Sequence, residues 1–141
     1  MTDDEFLVAV ERAARGAAAP GFRFGHRDHL RLAWVQLERL GPEHGADATA
    51  ATLRRIDAAH GGGHYHETIT RFWLGLLQYA RERSTDGGLD ELLARHPHLL
   101  DGALPRRHYS EPLLASDAAR GGRVAPDLAP LPWEAGRDAP R

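Results

Sequence analysis

Apolar residues recur at the spacing of an α-helix along most of this chain, and glycine or proline ends each of these stretches. The first stretch follows Thr2 to Glu5 (TDDE), a pattern typical of the capping box that begins a helix. No stretch alternates apolar and polar residues with the period of two that a half-buried β-strand shows. The periodicity therefore predicts an all-α protein, most simply a single four-helix bundle with a short fifth helix.

These signals also predict where the helices lie. The first helix follows Thr2 and ends before Pro20, and the others cover roughly residues 26–40, 42–60, 65–83 and 89–95. Residues 110–120 predict one more short helix, and the Pro-rich segment PDLAPLPW predicts an extended C-terminal strap. We expect residues 1–132 to form a single helical domain and residues 133–141 to form a disordered tail.

Composition excludes several classes of function. The chain has 141 residues, a net charge of -2 and no polybasic segment, so we expect no nucleic-acid partner and no attraction to anionic membranes. All of its basic residues are arginine, which excludes a lysine nucleophile. Because cysteine is absent, any metal must be bound by nitrogen and oxygen ligands.

The ends of the chain and its apolar runs predict a location. No apolar run is long enough to cross a bilayer, and the N-terminus MTDDEFLVAV is acidic, unlike a signal peptide. We therefore expect a cytoplasmic protein. The sequence does not indicate an oligomeric state.

Two histidines lie on the predicted buried face of the second helix. Side chains follow one another at about 100° around a helix axis, and His29 then lies about 60° from His26. Four apolar residues fall within about 40° of His26: Leu30, Ala33, Leu37 and Leu40. Both histidines are therefore expected to face the core, one turn apart.

The fourth helix carries a third inward histidine. Trp73, Leu77 and Ala80 fall within about 40° of His66, whereas Thr68 is expected to face solvent. In an up-down-up-down bundle the second and fourth helices are parallel, so their first turns lie at the same end. The simplest bundle therefore brings His26, His29 and His66 together.

Three imidazoles at one end of a bundle predict a site for a divalent metal, either zinc, iron or copper. The ligands would be His26, His29 and His66, and His64 is a candidate fourth ligand or proton shuttle. Zinc would imply a hydrolase or lyase that acts through a metal-activated water, and iron or copper would imply an oxidoreductase. The hypothesis is a small metalloenzyme with a small-molecule substrate.

Three further residues are candidates for catalysis at this metal site. Glu67 is a candidate general base, or a group that orients a ligand. Thr70 is a candidate partner for an imidazole nitrogen. Tyr109, in the segment RRHYSE, would take part if that segment folds back over the end of the bundle.

Two alternatives stay open, because a histidine on an apolar face is more often a satisfied core residue than a ligand. In the first, the protein is a small-molecule-binding domain without a metal, in which the inward histidines and Tyr109 hydrogen-bond a polar ligand. In the second, it is a structural or interaction module, and the histidines are merely satisfied in the core.

Four blocks of the sequence resemble those of a group of small bacterial all-helical proteins with no established activity. The blocks are HRDHLRLAW, HYHETITRFW, RHYSEPLLASDAAR and PDLAPLP, and they lie within residues 22–132. The resemblance implies that one functional unit contains several polar residues: His26, His29, His66, Thr70, Tyr109, Ser116 and Asp127. His64 is less characteristic of the pattern. The resemblance implies no particular reaction.

Overall fold

Helices form nearly all of the regular structure in the computed structural model, which describes residues 1–84 and 87–135. Within these ranges there is no β-strand, and the prediction of an all-α protein is confirmed. The α-helices are α1 (Asp3–Ala14), α2 (His26–Leu40), α3 (Pro42–Ala59), α4 (Glu67–Arg83), α5 (Leu89–Arg95), α6 (Glu111–Leu114), α7 (Asp117–Gly121) and α8 (Pro132–Ala135). Two short 3-10 helices cover Pro97–Leu100 and Leu104–Arg107. None of the described helices has both the length and the apolar character needed to cross a membrane.

The chain divides into two compact units. The first unit is Met1–Tyr65 and contains α1, α2 and α3, and the second begins at His66 and contains α4 to α8. The predicted four-helix bundle is not confirmed, because its first three helices form one unit while the fourth helix belongs to the other. The single domain over residues 1–132 stays a prediction.

The first unit is held together by the apolar faces of its three helices. Phe6 and Val10 of α1 pack with Leu32 of α2, and partly buried apolar residues surround them. At Gly45, α3 approaches α2 so closely that an added Cβ would lie 2.5 Å from the carbonyl oxygen of Gln36. This contact between two backbones requires the missing side chain.

The predicted bounds of α2 are confirmed, but its buried face is wider than predicted. Leu30, Ala33 and Leu37 are buried as expected. Leu40 was predicted to face inward, and this is wrong, since it is 47% exposed at the end of the helix. Leu32 is instead fully buried, because it packs against α1.

An aromatic cluster forms the centre of the second unit. Phe72 of α4 is buried, and the rings of His108, Tyr109 and Trp133 lie 5.4, 6.4 and 5.7 Å from it, centre to centre. Trp133 of α8 also lies against Gly75, where an added Cβ would be 2.6 Å from the indole ring. The absence of a side chain at Gly75 therefore makes room for Trp133.

The C-terminal part of the second unit differs from the prediction in two places. The helix predicted over residues 110–120 is two helices, α6 and α7, because the extended backbone of Ser116 separates them and its side chain caps α7. A disordered tail was predicted from residue 133, and this is wrong for residues 133–135, since Pro132–Ala135 is helical; residues 136–141 lie outside the described residues. Between α7 and α8, residues 122–131 form an irregular segment, which we call the strap.

Candidate functional site

His66 is the N-cap of α4 rather than a residue of its first turn. Its Nδ1 accepts a hydrogen bond from the backbone N–H of Ile69 at 3.1 Å. Its Nε2 lies 2.8 Å from the carbonyl oxygen of Leu114. A carbonyl oxygen only accepts, so Nε2 carries the proton and donates it, while Nδ1 carries none.

These two hydrogen bonds occupy both ring nitrogens of His66. A metal ligand must offer the lone pair of a ring nitrogen, and in this arrangement Nδ1 uses its lone pair on Ile69 while Nε2 carries hydrogen. His66 therefore does not fit a metal in this conformation. Its imidazole instead connects the start of α4 to the end of α6.

Thr68 was predicted to face solvent, and this is wrong. Its side chain is buried, and its hydroxyl donates to the carbonyl oxygen of Gly122 at 2.7 Å. The same hydroxyl accepts from the backbone N–H of Val124 at 3.3 Å. The apolar pattern of α4 does not reveal this, because the partners are backbone groups of the strap.

Tyr109 also holds the strap, through its phenol. The side chain is buried, and its hydroxyl donates to the carbonyl oxygen of Val124 at 3.3 Å. Burial raises the pKa of the Tyr109 phenol, which keeps it in the protonated form that donates. The neighbouring His108 has its Nδ1 3.0 Å from the carbonyl oxygen of Pro130, and its own carbonyl accepts from the N–H of Leu128.

Asp127 and Ser116 make local hydrogen bonds as well. The carboxylate of Asp127 accepts from the backbone N–H of Ser110 at 2.8 Å and from its hydroxyl at 2.5 Å. The Ser110 hydroxyl and N–H hold the pKa of Asp127 below its usual value. Ser116 caps α7 and donates to the carbonyl oxygen of Leu113. These contacts order α6, α7 and the strap.

His26 and His29 lie at the start of α2 in the first unit. Both are partly buried, and the ring of His29 meets the ring of Phe24 edge to face at 4.5 Å. Burial lowers the pKa of His29, and the nearby His26 lowers it further, while the Gly25 carbonyl and Asp28 act in the opposite direction. His29 is thus an uncharged histidine against an aromatic ring near neutral pH.

His64 is exposed and lies in the glycine-rich turn after α3. Asp57 accepts from the backbone N–H groups of His64 and Tyr65, at 3.2 and 3.0 Å, and its carbonyl accepts from Gly62. The N–H of Tyr65 and then that of His64 lower the pKa of the Asp57 carboxyl. The His64 ring is 87% exposed, with Nδ1 3.4 Å from Asp57, so the turn is organised by the aspartate.

Glu67 and Thr70 lie on the first turns of α4. Glu67 forms a partly buried ion pair with Arg71, with 3.0 Å between Oε2 and the Arg71 Nε. Thr70 is partly buried, and its backbone N–H donates to the carbonyl oxygen of His66. Their roles as general base and as partner of an imidazole stay predictions.

Within residues 1–84 and 87–135, no group of three or more His, Asp or Glu side chains is arranged to hold a metal. Of the predicted ligands, His26, His29 and His64 belong to the first unit and His66 to the second. The metal site therefore stays a prediction. So do its proposed metal (zinc, iron or copper) and the residues assigned to it.

A cleft of about 550 Å³ opens in the second unit beside His66. Apolar side chains form much of its wall: Ile69, Ala103, Pro105, Leu114 and Ala115. Because its imidazole is fixed at both nitrogens, His66 contributes a rigid ring to this wall.

Three charged residues also line the cleft: Arg106, Glu111 and Arg120. The Nε of Arg106 lies 3.9 Å from Oε1 of Glu111, and both side chains are largely exposed. Sequence reasoning assigned none of the three to a site: Arg106 was interpreted, with Arg107, as a solvated basic pair, and Glu111 and Arg120 were not considered. They come from a 3-10 helix and two very short α-helices. Such elements carry no apolar period that would place their side chains at one site.

No protein-family model, curated protein or solved structure matches this chain. The resemblance to small bacterial helical proteins therefore rests on the four sequence blocks alone. Any statement about function must come from the geometry of the described residues.

Proposed function

We propose that this protein is a small-molecule-binding domain and that its ligand occupies the cleft beside His66. The observation that carries the proposal is the cleft itself, whose volume of about 550 Å³ lies in the range of ligand sites in proteins. Its wall combines apolar side chains with a few charged ones at one place. That combination is typical of sites that bury an apolar body and orient a polar group.

The cleft is also preorganised. Two of its wall residues are connected directly, since the Nε2 of His66 donates to the carbonyl oxygen of Leu114. Ile69, a third wall residue, is connected to His66 as well, because its backbone N–H donates to Nδ1 of His66. A wall that is ordered before binding loses little conformational entropy when a ligand arrives, which favours binding.

Binding in this cleft requires neither a metal nor the four-helix bundle. The metalloenzyme hypothesis requires both, and it would also need His66 to give up one of its two hydrogen bonds. For this reason the geometry favours the binding domain over the metalloenzyme. It also favours the binding domain over a purely structural module, because such a module does not require a cleft.

The proposal is tested by titrating the full-length protein with a panel of small probes while recording ¹H–¹⁵N spectra. The panel contains benzoate, hexanoate and phenyl phosphate, together with the neutral benzamide, hexanamide and benzyl alcohol. We expect saturable shifts of the amide signals of Ile69, Ala103 and Ala115, which line the cleft.

A cleft-filling variant provides the control. Ala115→Trp places a large ring in the cleft, and the exposed Ala118→Trp places the same ring on α7, where it is not part of the cleft wall. We expect Ala115→Trp to abolish the shifts and Ala118→Trp to preserve them. The proposal is wrong if no probe gives saturable shifts, or if both variants bind alike.

A further inference from the structure

The charged residues of the cleft indicate which class of molecule it binds. Two arginines, Arg106 and Arg120, and one carboxylate, Glu111, line it. We infer that the ligand is a small organic anion whose oxyanion, a carboxylate or a phosphate monoester, is bound by Arg106. This inference rests on the proposed function, because it names the ligand class of the same cleft.

The geometry of Arg106 supports this role. Its Nε lies 3.9 Å from Glu111, beyond the distance of a hydrogen bond, and the side chains are 64% and 77% exposed. An exposed ion pair of this kind is weak. A ligand oxyanion that forms two parallel hydrogen bonds with the guanidinium is the stronger partner and displaces Glu111.

The rest of the wall defines the other part of the ligand. Ile69, Pro105 and Leu114 offer apolar surface, and the donor of His66 is already bonded to Leu114. With no donor from the imidazole, the anionic group is expected at Arg106 and the apolar body against these three residues. An inorganic anion has no apolar body and gains nothing from this surface.

The experiment compares matched probes on the full-length protein. Benzoate and benzamide have nearly the same shape, and only benzoate is charged, while phenyl phosphate carries the second type of oxyanion. We expect at least one of the two anions to bind about tenfold more tightly than benzamide, as a charge-assisted hydrogen bond to arginine predicts. Whichever anion binds more tightly identifies the oxyanion.

Three variants of exposed residues assign the preference to Arg106. Arg106→Gln should remove the preference for the anion, and Glu111→Gln should strengthen anion binding, because it removes the competing carboxylate. Arg107→Gln is the matched control, since Arg107 is the exposed neighbour that does not line the cleft. We expect it to bind the anion as the unaltered protein does.

The outcomes separate this inference from the proposed function. If benzamide binds as tightly as both anions, or if Arg106→Gln keeps the preference for an anion, the inference is wrong and the binding function stands. If no probe of either charge shifts the amide signals of the cleft, both are wrong. A melting curve for each variant confirms that the comparison is made on folded protein.

Discussion

The two units of this molecule are held together by different means. In the first, long helices pack through apolar side chains and through the direct backbone contact at Gly45. In the second, the aromatic cluster around Phe72 is supplemented by hydrogen bonds from buried polar side chains, such as Thr68 and Tyr109, which fix the irregular strap. The comparison shows that polar residues on an apolar helix face can stabilise the fold through hydrogen bonds, even where their pattern in the sequence resembles that of an active site.

The largest effect is expected from Gly45→Ala in the first unit. An added methyl group meets the backbone of α2 at 2.5–2.7 Å, and backbone atoms cannot move aside without separating the helices. Overpacking of this kind outweighs the better helix propensity of alanine, and we expect a loss of about 3 kcal/mol in the free energy of unfolding. Urea denaturation measures it, and unchanged stability would contradict the close approach.

Thr68→Val is expected to be the most costly conservative change in the second unit. Valine has nearly the same shape, but it leaves the Gly122 carbonyl and the Val124 N–H without their partner. We expect a loss of about 2 kcal/mol, because unsatisfied polar groups are costly. In NMR spectra, the indole signal of Trp133 should respond and that of Trp34, in the first unit, should not.

Thr68→Val distinguishes the buried position that Thr68 has in the structure from the solvent-exposed position that the sequence predicts. A threonine that faced water would tolerate valine with little change. If Thr68→Val changes the free energy of unfolding by less than about 0.5 kcal/mol, the hydrogen bonds of Thr68 do not stabilise the second unit, and the contrast with the first unit is wrong.

A smaller effect is expected from Gly75→Ala. The added methyl group would lie 2.6 Å from the Trp133 indole, a side chain of the short α8 that can move away. The gain in helix propensity offsets part of the lost packing, so we expect a net loss of about 1 kcal/mol. Tryptophan fluorescence should show a more exposed indole, and a gain in stability would mean that Trp133 does not pack there.

Mild acid is expected to affect the first unit through His29. Folding lowers the pKa of His29 below the 6.5 of an unfolded chain, so the unfolded state takes up the proton first as the pH falls. Stability is therefore expected to decrease below about pH 6.5 and to be constant above it. His29→Gln should flatten this slope when melting temperatures are measured between about pH 5 and 8.

Asp127, in the second unit, provides the contrast. Its pKa is lowered from 3.8 by Ser110, so its contribution is present above that value and is lost only as the pH falls through its lower, folded pKa. The hydrogen bonds between Asp127 and Ser110 should therefore persist in mild acid. A slope of stability against pH that His29→Gln leaves unchanged between about pH 5 and 6.5 would contradict the assignment to His29.

No effect is expected from a chelator. Both ring nitrogens of His66 are bonded within the protein, so EDTA should leave the melting temperature unchanged. A lower melting temperature that zinc, iron or copper restores would support the metalloenzyme instead. Elemental analysis of the untagged protein and of a His26→Ala/His66→Ala double variant would then show whether these histidines bind the metal.

The sequence predicted the long helices but not the hydrogen bonds that fix the second unit, for one physical reason. Periodicity reports which face of a long helix is apolar, so the bounds of α2 were predicted correctly and those of α3 to within a residue. Periodicity carries no information about a hydrogen bond between a side chain and a backbone group that is far away in the sequence. The sequence predicted that His66 lies at the start of α4. No pattern in the sequence indicates that Ile69 donates a hydrogen bond to His66 or that Leu114 accepts one from it.

The cleft shows the same limit. Its charged residues lie on elements of four or five residues, too short for a period to appear. Ser110 and Ser116 do carry the local signal of helix caps, and both are caps in the structure. Nothing in the sequence indicates that the elements around them surround a cavity.

The hydrogen bonds of Thr68 with the strap and of His66 with Leu114 join residues that are 48 to 56 positions apart in the chain. During synthesis, α4 leaves the ribosome long before the segment that supplies its partners. Until residues 122–124 have emerged, the hydroxyl of Thr68 lacks the two backbone partners that it has in the fold. A chain that ends before Gly122 would therefore leave the buried hydroxyl of Thr68 without its partners.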